Sequence, residues 1–428
     1  MASPAPPIAS PEALASLSLP TLTDDLLEDI FLRLPTPNDV ARASAACPSF
    51  RRIITGRSFL RRFRAIHPPP LLGFAAYEGF HPAQPPHPSA PLARAFADAA
   101  DFSYSFVPTG RWLTPWHPRD VRQGRVLLEC TPKCDYSPPE YDDTVLLRDL
   151  ELAVCDPLSR RYRILPRIPK KLTGQHKNLV DYGLSLAPTG EDEDETTFRV
   201  VCMACNNNTV VVFEFTSSTG QWHIPGYLNR SSLGTLMPNS RDNSSCHDHE
   251  KGCFYWIVPC WNKLLAIDMF SMELSIVKND VAKYVHDHGK PLIVLGRDRT
   301  PEVFFLADCF GDGPTDIIRI TKQNGSGSSD AWQFENMISL STQYNYFTLG
   351  AAEGFLFLRG ILQDQNSGYS SVDSSDNSAH LFAESPDVEY FSLDLKTSKL
   401  QKVCVMKQYF HTVYSYFGYP PPFAKPTI

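Results

Sequence analysis

The residue types best suited to chemistry lie in three short clusters. Cys246, His247, Asp248, His249 and Cys253 offer thiolate, imidazole and carboxylate, the ligand set of zinc. Their spacing fits neither a pair of C-x-x-C units nor an H-x₃-H frame. They also fall between a Ser/Asn-rich loop and an apolar, strand-like run, so no metal is assigned. Cys202-Met203-Ala204-Cys205 has dithiol spacing, but it follows a β-like run and lacks the helix start that lowers a thiol pKa. Glu191 to Glu195 is an unbroken acidic run; a solvated hairpin loop accounts for it, and attraction of a basic substrate is the sharper alternative. No G-x-S-x-G, P-loop, G-x-G-x-x-G or H-E-x-x-H occurs. The expectation is a chain with no catalytic residue, no metal and no cofactor, acting by binding.

Binding surface is then the thing to look for, and residues 22–63 supply it. Thr23 is placed to cap a helix whose first turn carries Asp24, Asp25 and Glu28, where the helix dipole favours negative charge. Leu26, Leu27, Ile30, Phe31 and Leu34 recur at helical spacing. Leu34-Pro35 ends the helix, because a residue before proline is pushed out of the α region and proline has no N–H. Thr36-Pro37-Asn38-Asp39 starts a second helix with Val40, Ala43, Ala46 and Cys47 on one face. Pro48 opens a third, with Phe50, Ile53 and Ile54, and Ser58 caps a last one with Phe59, Leu60 and Phe63. A unit of ~40 residues buries too little to be comfortable alone, so its surplus apolar side chains call for a partner.

Leu22 to Phe63 resembles an F-box, with its pattern L-P-x-D-L-L-x-E-I-L-x-R-L-P, a D-[LV] helix, V-C-x-x-W and a closing S-F. The counterparts are Leu22 to Pro35, Asp39-Val40, Ala46-Cys47-Pro48-Ser49-Phe50 and Ser58-Phe59. Thr23 stands where proline is usual, and both suit a helix start. Phe50 stands where tryptophan is usual, keeping an aromatic plug without the indole donor. The resemblance implies docking on a Skp-family adaptor. Leu22, Leu26, Leu27, Ile30, Leu34, Pro35, Val40 and Phe50 are the candidates for docking or for holding the docking helices together.

Composition narrows the classes. A net charge of −7 and a pI near 6.0 argue against nucleic acid as the main partner. The arginines at 51, 52, 57, 61, 62 and 64 form the one basic cluster, a solvated face or a steering surface for an acidic partner. Eleven cysteines without framework spacing, several inside apolar runs, read as free thiols in a reducing compartment, cytoplasm or nucleus. The N-terminus has no basic residue before Arg33 and resembles no signal or transit peptide; no run has the ~20 apolar residues of a membrane helix. Sequons at Asn207 and Asn229 are then idle.

Four segments follow: a Pro/Ala/Ser tail expected to be disordered (1–20), the helical domain (21–66), a stiff His-Pro-Pro-Pro linker (67–70), and a region of strand-like period (71–428). In the last, one phrase recurs: a strand ending in an acidic or small residue, a Ser/Thr turn, and a second strand opening on an apolar or aromatic residue. It runs through Asp156-Pro157-Leu158-Ser159, Ser218-Thr219-Gly220-Gln221-Trp222, Asp268-Met269-Phe270-Ser271 and Asp394-Leu395-Lys396-Thr397, with a degenerate copy from Ile317 to Trp332. A period of about 40–60 residues with several strands per unit predicts a β-propeller of about six blades; a two-sheet sandwich is too small for the length. Lys251-Gly252-Cys253-Phe254-Tyr255-Trp256 and Glu353-Gly354-Phe355-Leu356-Phe357 are expected to supply inner strands. The phrases resemble the kelch-like, F-box-associated repeats of plant F-box proteins.

The fold class is thus α+β multidomain, a helical F-box followed by an all-β propeller. The resemblance implies a substrate receptor of a Skp–cullin–F-box ubiquitin ligase. The adaptor would link it to cullin and RING-box protein, and a protein substrate would sit on loops around 174–178, 226–248 or 308–316. A binding module or decoy outside any ligase, and a propeller glycan hydrolase, are the alternatives; paired carboxylates for the latter are not evident.

Overall fold

The computed structural model describes residues 22–35, 37–111, 113–130, 147, 150–174, 179, 181–187, 197–205, 209–229, 245–247, 253–257, 263–268, 271–278, 292–295, 301–308, 315–322, 332–363, 387–406 and 412–418. They divide into two compact units, one ending at Pro69 and one beginning at Pro70. The expected N-terminal tail and the Thr36 cap lie outside the described residues.

The first unit holds α1 (Asp24–Leu32), α2 (Pro37–Ala46), α3 (Pro48–Ile54) and α4 (Arg57–Ile66). Thr23 caps α1 by accepting from the Leu26 amide at 3.4 Å. Phe31, Leu32, Val40, Ile53, Ile54, Phe59, Leu60 and Phe63 form its core. α4 starts one residue before the expected Ser58 cap: Gly56 takes the cap position. A β-carbon there would stand 2.9 Å from the Ile53 carbonyl oxygen, so the tight α3–α4 turn favours glycine. At the far end the His67 ring packs on Phe63, 4.4 Å between centroids, and its Nε2 reaches the Leu32 carbonyl at 3.1 Å.

The second unit begins with β1 (Leu71–Ala76), β2 (Gly79–Pro82) and α5 (Ala90–Ala99). It then builds antiparallel blades. The first is β3 (His117–Arg122), β4 (Arg125–Cys130), β5 (Glu151–Asp156) and β6 (Arg161–Ile164), followed by the short α6 (Lys170–Thr173). The second is β7 (Asp181–Ala187), β8 (Arg199–Cys205), β9 (Thr209–Thr216) and β10 (Gln221–Asn229). The third is β11 (Ser245–His247), β12 (Cys253–Ile257), β13 (Lys263–Asp268) and β14 (Leu274–Lys278). The fourth is β15 (Leu292–Leu295), β16 (Pro301–Asp308), β17 (Thr315–Lys322) and β18 (Trp332–Ser339). The fifth is β19 (Tyr344–Ala352), β20 (Phe355–Leu362), β21 (Val388–Asp394) and β22 (Lys399–Met406), and β23 (Tyr414–Phe417) ends the unit.

Five four-stranded blades are therefore present among the described residues, against the six or so expected. The remaining strands come from both ends: β23 pairs with β1, and β1 with β2, in a three-stranded sheet. Residues between β2 and β3 form α5 and its flanking loops instead of a further blade. The inner strands touch one another, β23 with β3, β3 with β7, β11 with β15 and β19.

The recurring phrase is the β5–β6, β9–β10, β13–β14, β17–β18 and β21–β22 hairpin, the outer pair of each blade. In β5–β6, β13–β14 and β21–β22 its chemistry is an Asx turn; in β9–β10 Thr216 stands in place of the aspartate, and the Thr219 hydroxyl donates to its carbonyl. Asp156 Oδ1 accepts from the amides of Leu158 (2.9 Å) and Ser159 (3.2 Å), and Asp394 Oδ1 from those of Lys396 (2.8 Å) and Thr397 (3.1 Å). The residue after each turn Ser/Thr is left-handed: Arg160, Gly220, Met272 and Ser398 have φ of 53°, 68°, 56° and 55°. The inner hairpins use a different device. Gln123-Gly124 and Glu353-Gly354 both have positive φ at two successive residues, the type I′ geometry that matches strand twist. Of the two glycine phrases expected to supply inner strands, Glu353-Gly354 forms the turn from β19 into β20 and Lys251-Gly252 lies outside the described residues; β12 and β20 stand second in their sheets.

Candidate functional site

The α1 sequence carries two apolar stripes, and the packing of the helical unit separates them. Phe31 is buried, with Leu27 and Leu34 partly covered against the same core. Leu26 and Ile30, four apart on α1 and 52% and 48% exposed, stand on the other stripe, where side chains at i and i+4 share a helix face; Leu22, 49% exposed, precedes the Thr23 cap and lies outside the helix. Three large apolar side chains at and before this helix are open, and Pro35 beyond its end is exposed as well. Val40 is 0% exposed and belongs wholly to the core. Phe50 is half-buried and meets the Phe31 ring edge-on, 5.0 Å between centroids. The eight sequence-selected residues thus split into an open set (Leu22, Leu26, Ile30, Pro35) and a supporting set (Leu27, Leu34, Val40, Phe50).

Charges lock the open helix from behind. Arg62 of α4 donates to Glu28 and Asp29, each at 2.9 Å, and Arg52 of α3 donates to Asp24 at 2.8 Å. The two carboxylates hold the Arg62 guanidinium above its usual pKa. Two members of the basic cluster are consequently engaged inside the unit itself, which favours the plainer reading of that cluster over a steering surface.

The other candidate clusters fare as follows. Cys202 is fully buried on β8, and burial pushes its thiol well above the ordinary range, the opposite of an activated redox cysteine. Cys246, His247 and Cys253 fall on the paired strands β11 and β12, while Asp248 and His249 lie outside the described residues. So do Glu191 to Glu195 and most of the loops 174–178, 226–248 and 308–316. Among the described residues no group of three metal-ligating side chains comes together, and no helix is long and apolar enough to cross a membrane.

The propeller holds one feature that sequence reasoning missed. A cavity of about 190 Å³ opens where β3, β7, β19 and β23 meet, with Arg119, Tyr182 and Tyr414 among its lining. Arg119 is the extra residue of a β-bulge in β3, between Pro118 and Asp120, and no local sequence signal marks it.

Residues 19–62 match the F-box domain family. No curated protein matches the chain. Among solved structures the chain is similar to TolB from Acinetobacter baumannii, at 10% identity over 66% of this chain and 53% of that one, TM-score 0.33. It is similar also to a prolyl endopeptidase, at 11% over 91% and 46%, TM-score 0.31. A third is the β-propeller domain of the Trilobed protease from Pyrococcus furiosus, at 8% over 67% and 70%, TM-score 0.33. The chain spans about half the length of the first two. Likenesses this distant carry no functional argument. The F-box domain at 19–62 followed by an all-β propeller is an arrangement typical of non-catalytic adaptor and receptor proteins, and F-box domains in general bind Skp-type adaptors.

Proposed function

We propose that the protein is the substrate receptor of a Skp–cullin–F-box ubiquitin ligase. Leu22, Leu26 and Ile30 dock on the Skp-family adaptor, and the propeller holds a protein substrate. The observation that carries this reading is the pair of open apolar side chains on α1, Leu26 and Ile30, with the exposed Leu22 just before its cap, inside a segment that matches the F-box family. Buried against a partner, each contributes about 1 kcal/mol or more; left in water they have no structural role. Leu27, Leu34, Val40 and Phe50 keep that face in place from beneath. The adaptor brings cullin and RING-box protein, and the chain acts by raising the effective concentration of substrate lysines near the ubiquitin-charged enzyme.

The finer parts of the reading are a kelch-like, plant-type F-box-associated propeller, domains at 21–66 and 71–428 joined by 67–70, and residence in cytoplasm or nucleus. The recurring Asx-turn hairpins support the first. The unpaired state of Cys47, Cys130, Cys155, Cys202 and Cys404 supports a reducing compartment.

Co-purification tests the docking. Wild type captures the Skp-family adaptor, and Leu26→Asp/Ile30→Asp, which places two charges on the open stripe and none in the core, loses it with helical content unchanged. Equal capture by both proteins sinks the reading. Ubiquitylation in a reconstituted ligase, dependent on the propeller, then separates a receptor from a decoy that binds without transfer.

A further inference from the structure

The cavity between β3, β7, β19 and β23 has two built-in irregularities, and both point at it. β3 bulges at Arg119 and β19 bulges at Leu349, and both bulge residues line the cavity. A bulge spends one residue outside the ladder to re-aim a side chain. Two inner strands do so around the same space.

The polar groups there are sorted by sign. Both nearby carboxylates are saturated within the wall. Asp120, 2% exposed, accepts from the Val121 amide (2.8 Å), the Ser185 hydroxyl (2.8 Å) and the Leu186 amide (2.7 Å). Glu129 takes the Arg119 Nε–H on one oxygen and the Tyr182 hydroxyl, at 2.5 Å, on the other. Arg119 differs: its side chain is 40% exposed against 1% for Glu129. It spends its Nε edge on Glu129 and donates also to the Tyr414 hydroxyl oxygen, and a guanidinium has five N–H donors in a planar fork. Glu129 therefore fixes the plane of the fork, and the Tyr414 O–H keeps its own proton to donate. Thr412 and Ser415 add hydroxyls on the same rim. Apolar side chains of Phe74, Val121, Leu184, Leu349, Phe357 and Val413 share the wall with these polar groups.

A fixed guanidinium and hydroxyl donors beside the apolar side chains of Phe74, Leu184 and Leu349 suit a carboxylate carried on a short apolar body. We propose that this cavity is a binding site for such a group, with Arg119 as its anchor and Glu129 and Tyr182 as positioning residues. The proposal deepens the receptor reading: it rests on that reading only for the source of the acid, a protein or a free small molecule.

The test uses the full chain without adaptor, so that its failure and a failure of adaptor capture are separate results. Three matched pairs are titrated by calorimetry. They are 3-methylbutanoate against its amide, a peptide ending in leucine carboxylate against the same peptide amidated, and a peptide with one internal glutamate against its glutamine counterpart. The expected result is acid preferred over its neutral partner by at least about tenfold in one pair or more; which pair responds names the source. Two variants must abolish that preference. Arg119→Met/Glu129→Gln removes the anchor without leaving a buried charge unpaired. Gly350→Leu fills the cavity instead, since a β-carbon on Gly350 meets nothing within 4 Å and the fold has room for it. No acid preference in any pair, or a preference that survives in Gly350→Leu with the fold intact by circular dichroism, overturns the proposal.

Discussion

In the helical unit the half-exposed Arg62 holds Asp29 at the surface and the partly covered Glu28, and Leu26 and Ile30 stand uncovered on the helix so held. In the propeller Arg199 meets Glu214 at 3.0 Å with both side chains nearly covered, and Phe213 and Phe215, either side of that glutamate, are fully buried. The same residue types serve opposite ends. Exposed ion pairs contribute little to stability but fix the direction a helix faces. A buried pair is strongly destabilising to break, because one charge is left stranded. The helical unit leaves apolar side chains of α1 uncovered, whereas the propeller covers its own.

The contrast can be broken at several points, and the size of the effect should track it. Phe213→Ala opens a cavity in the second blade and should cost about 4 kcal/mol, read as the urea midpoint by tryptophan fluorescence. All six tryptophans follow residue 111, so this signal reports the propeller half alone. Arg199→Met strands Glu214. His223, half exposed and 3.0 Å from the same carboxylate, remains as a partner, so the loss is set at about 3 kcal/mol. Gly354→Ala, at φ 78° in the fifth blade's inner turn, should cost about 1 kcal/mol by the same assay.

A graded effect of pH comes next. Burial lowers the pKa of His81, His87 and His117 from the ordinary 6.5. A depressed folded pKa means the unfolded chain takes the proton first. The stability these groups provide is whole above about pH 6.5 and is lost as pH falls through the lower folded values. All three lie in the propeller unit, so its urea midpoint should fall from pH 7 to pH 5, and less so in His81→Asn/His87→Asn. An unchanged midpoint would count against burial as the cause. Smallest of all, Leu26→Ser should leave the helical circular dichroism melt of the chain within about 0.5 kcal/mol of wild type, although it thins the open stripe.

Much of this was legible from local chemistry. Thr23, Leu34-Pro35 and Pro48 mark helix boundaries because capping and proline act within a turn. Asp156 and Asp394 mark hairpins because an Asx turn closes within four residues. The division between Val40 and Leu26 was not legible, since both are apolar at helical spacing and only the packing of α3 and α4 decides which is covered. The blade count missed for a related reason: β1 finds a partner in β23, and no local phrase announces a pairing between Leu71 and Phe417. Arg119 reads as an ordinary charge in a short strand until the bulge turns it.

That end-to-end pairing bears on how the chain is made. Synthesis runs from the N-terminus, and every element of the helical unit exists once Pro69 has been added. β1 must wait, with its inner edge unpaired, until Phe417 emerges. A ribosome stalled late, or a transcript ending before residue 414, would release a chain whose four N-terminal helices are entire and whose three-stranded sheet lacks a strand, leaving one edge of β1 open.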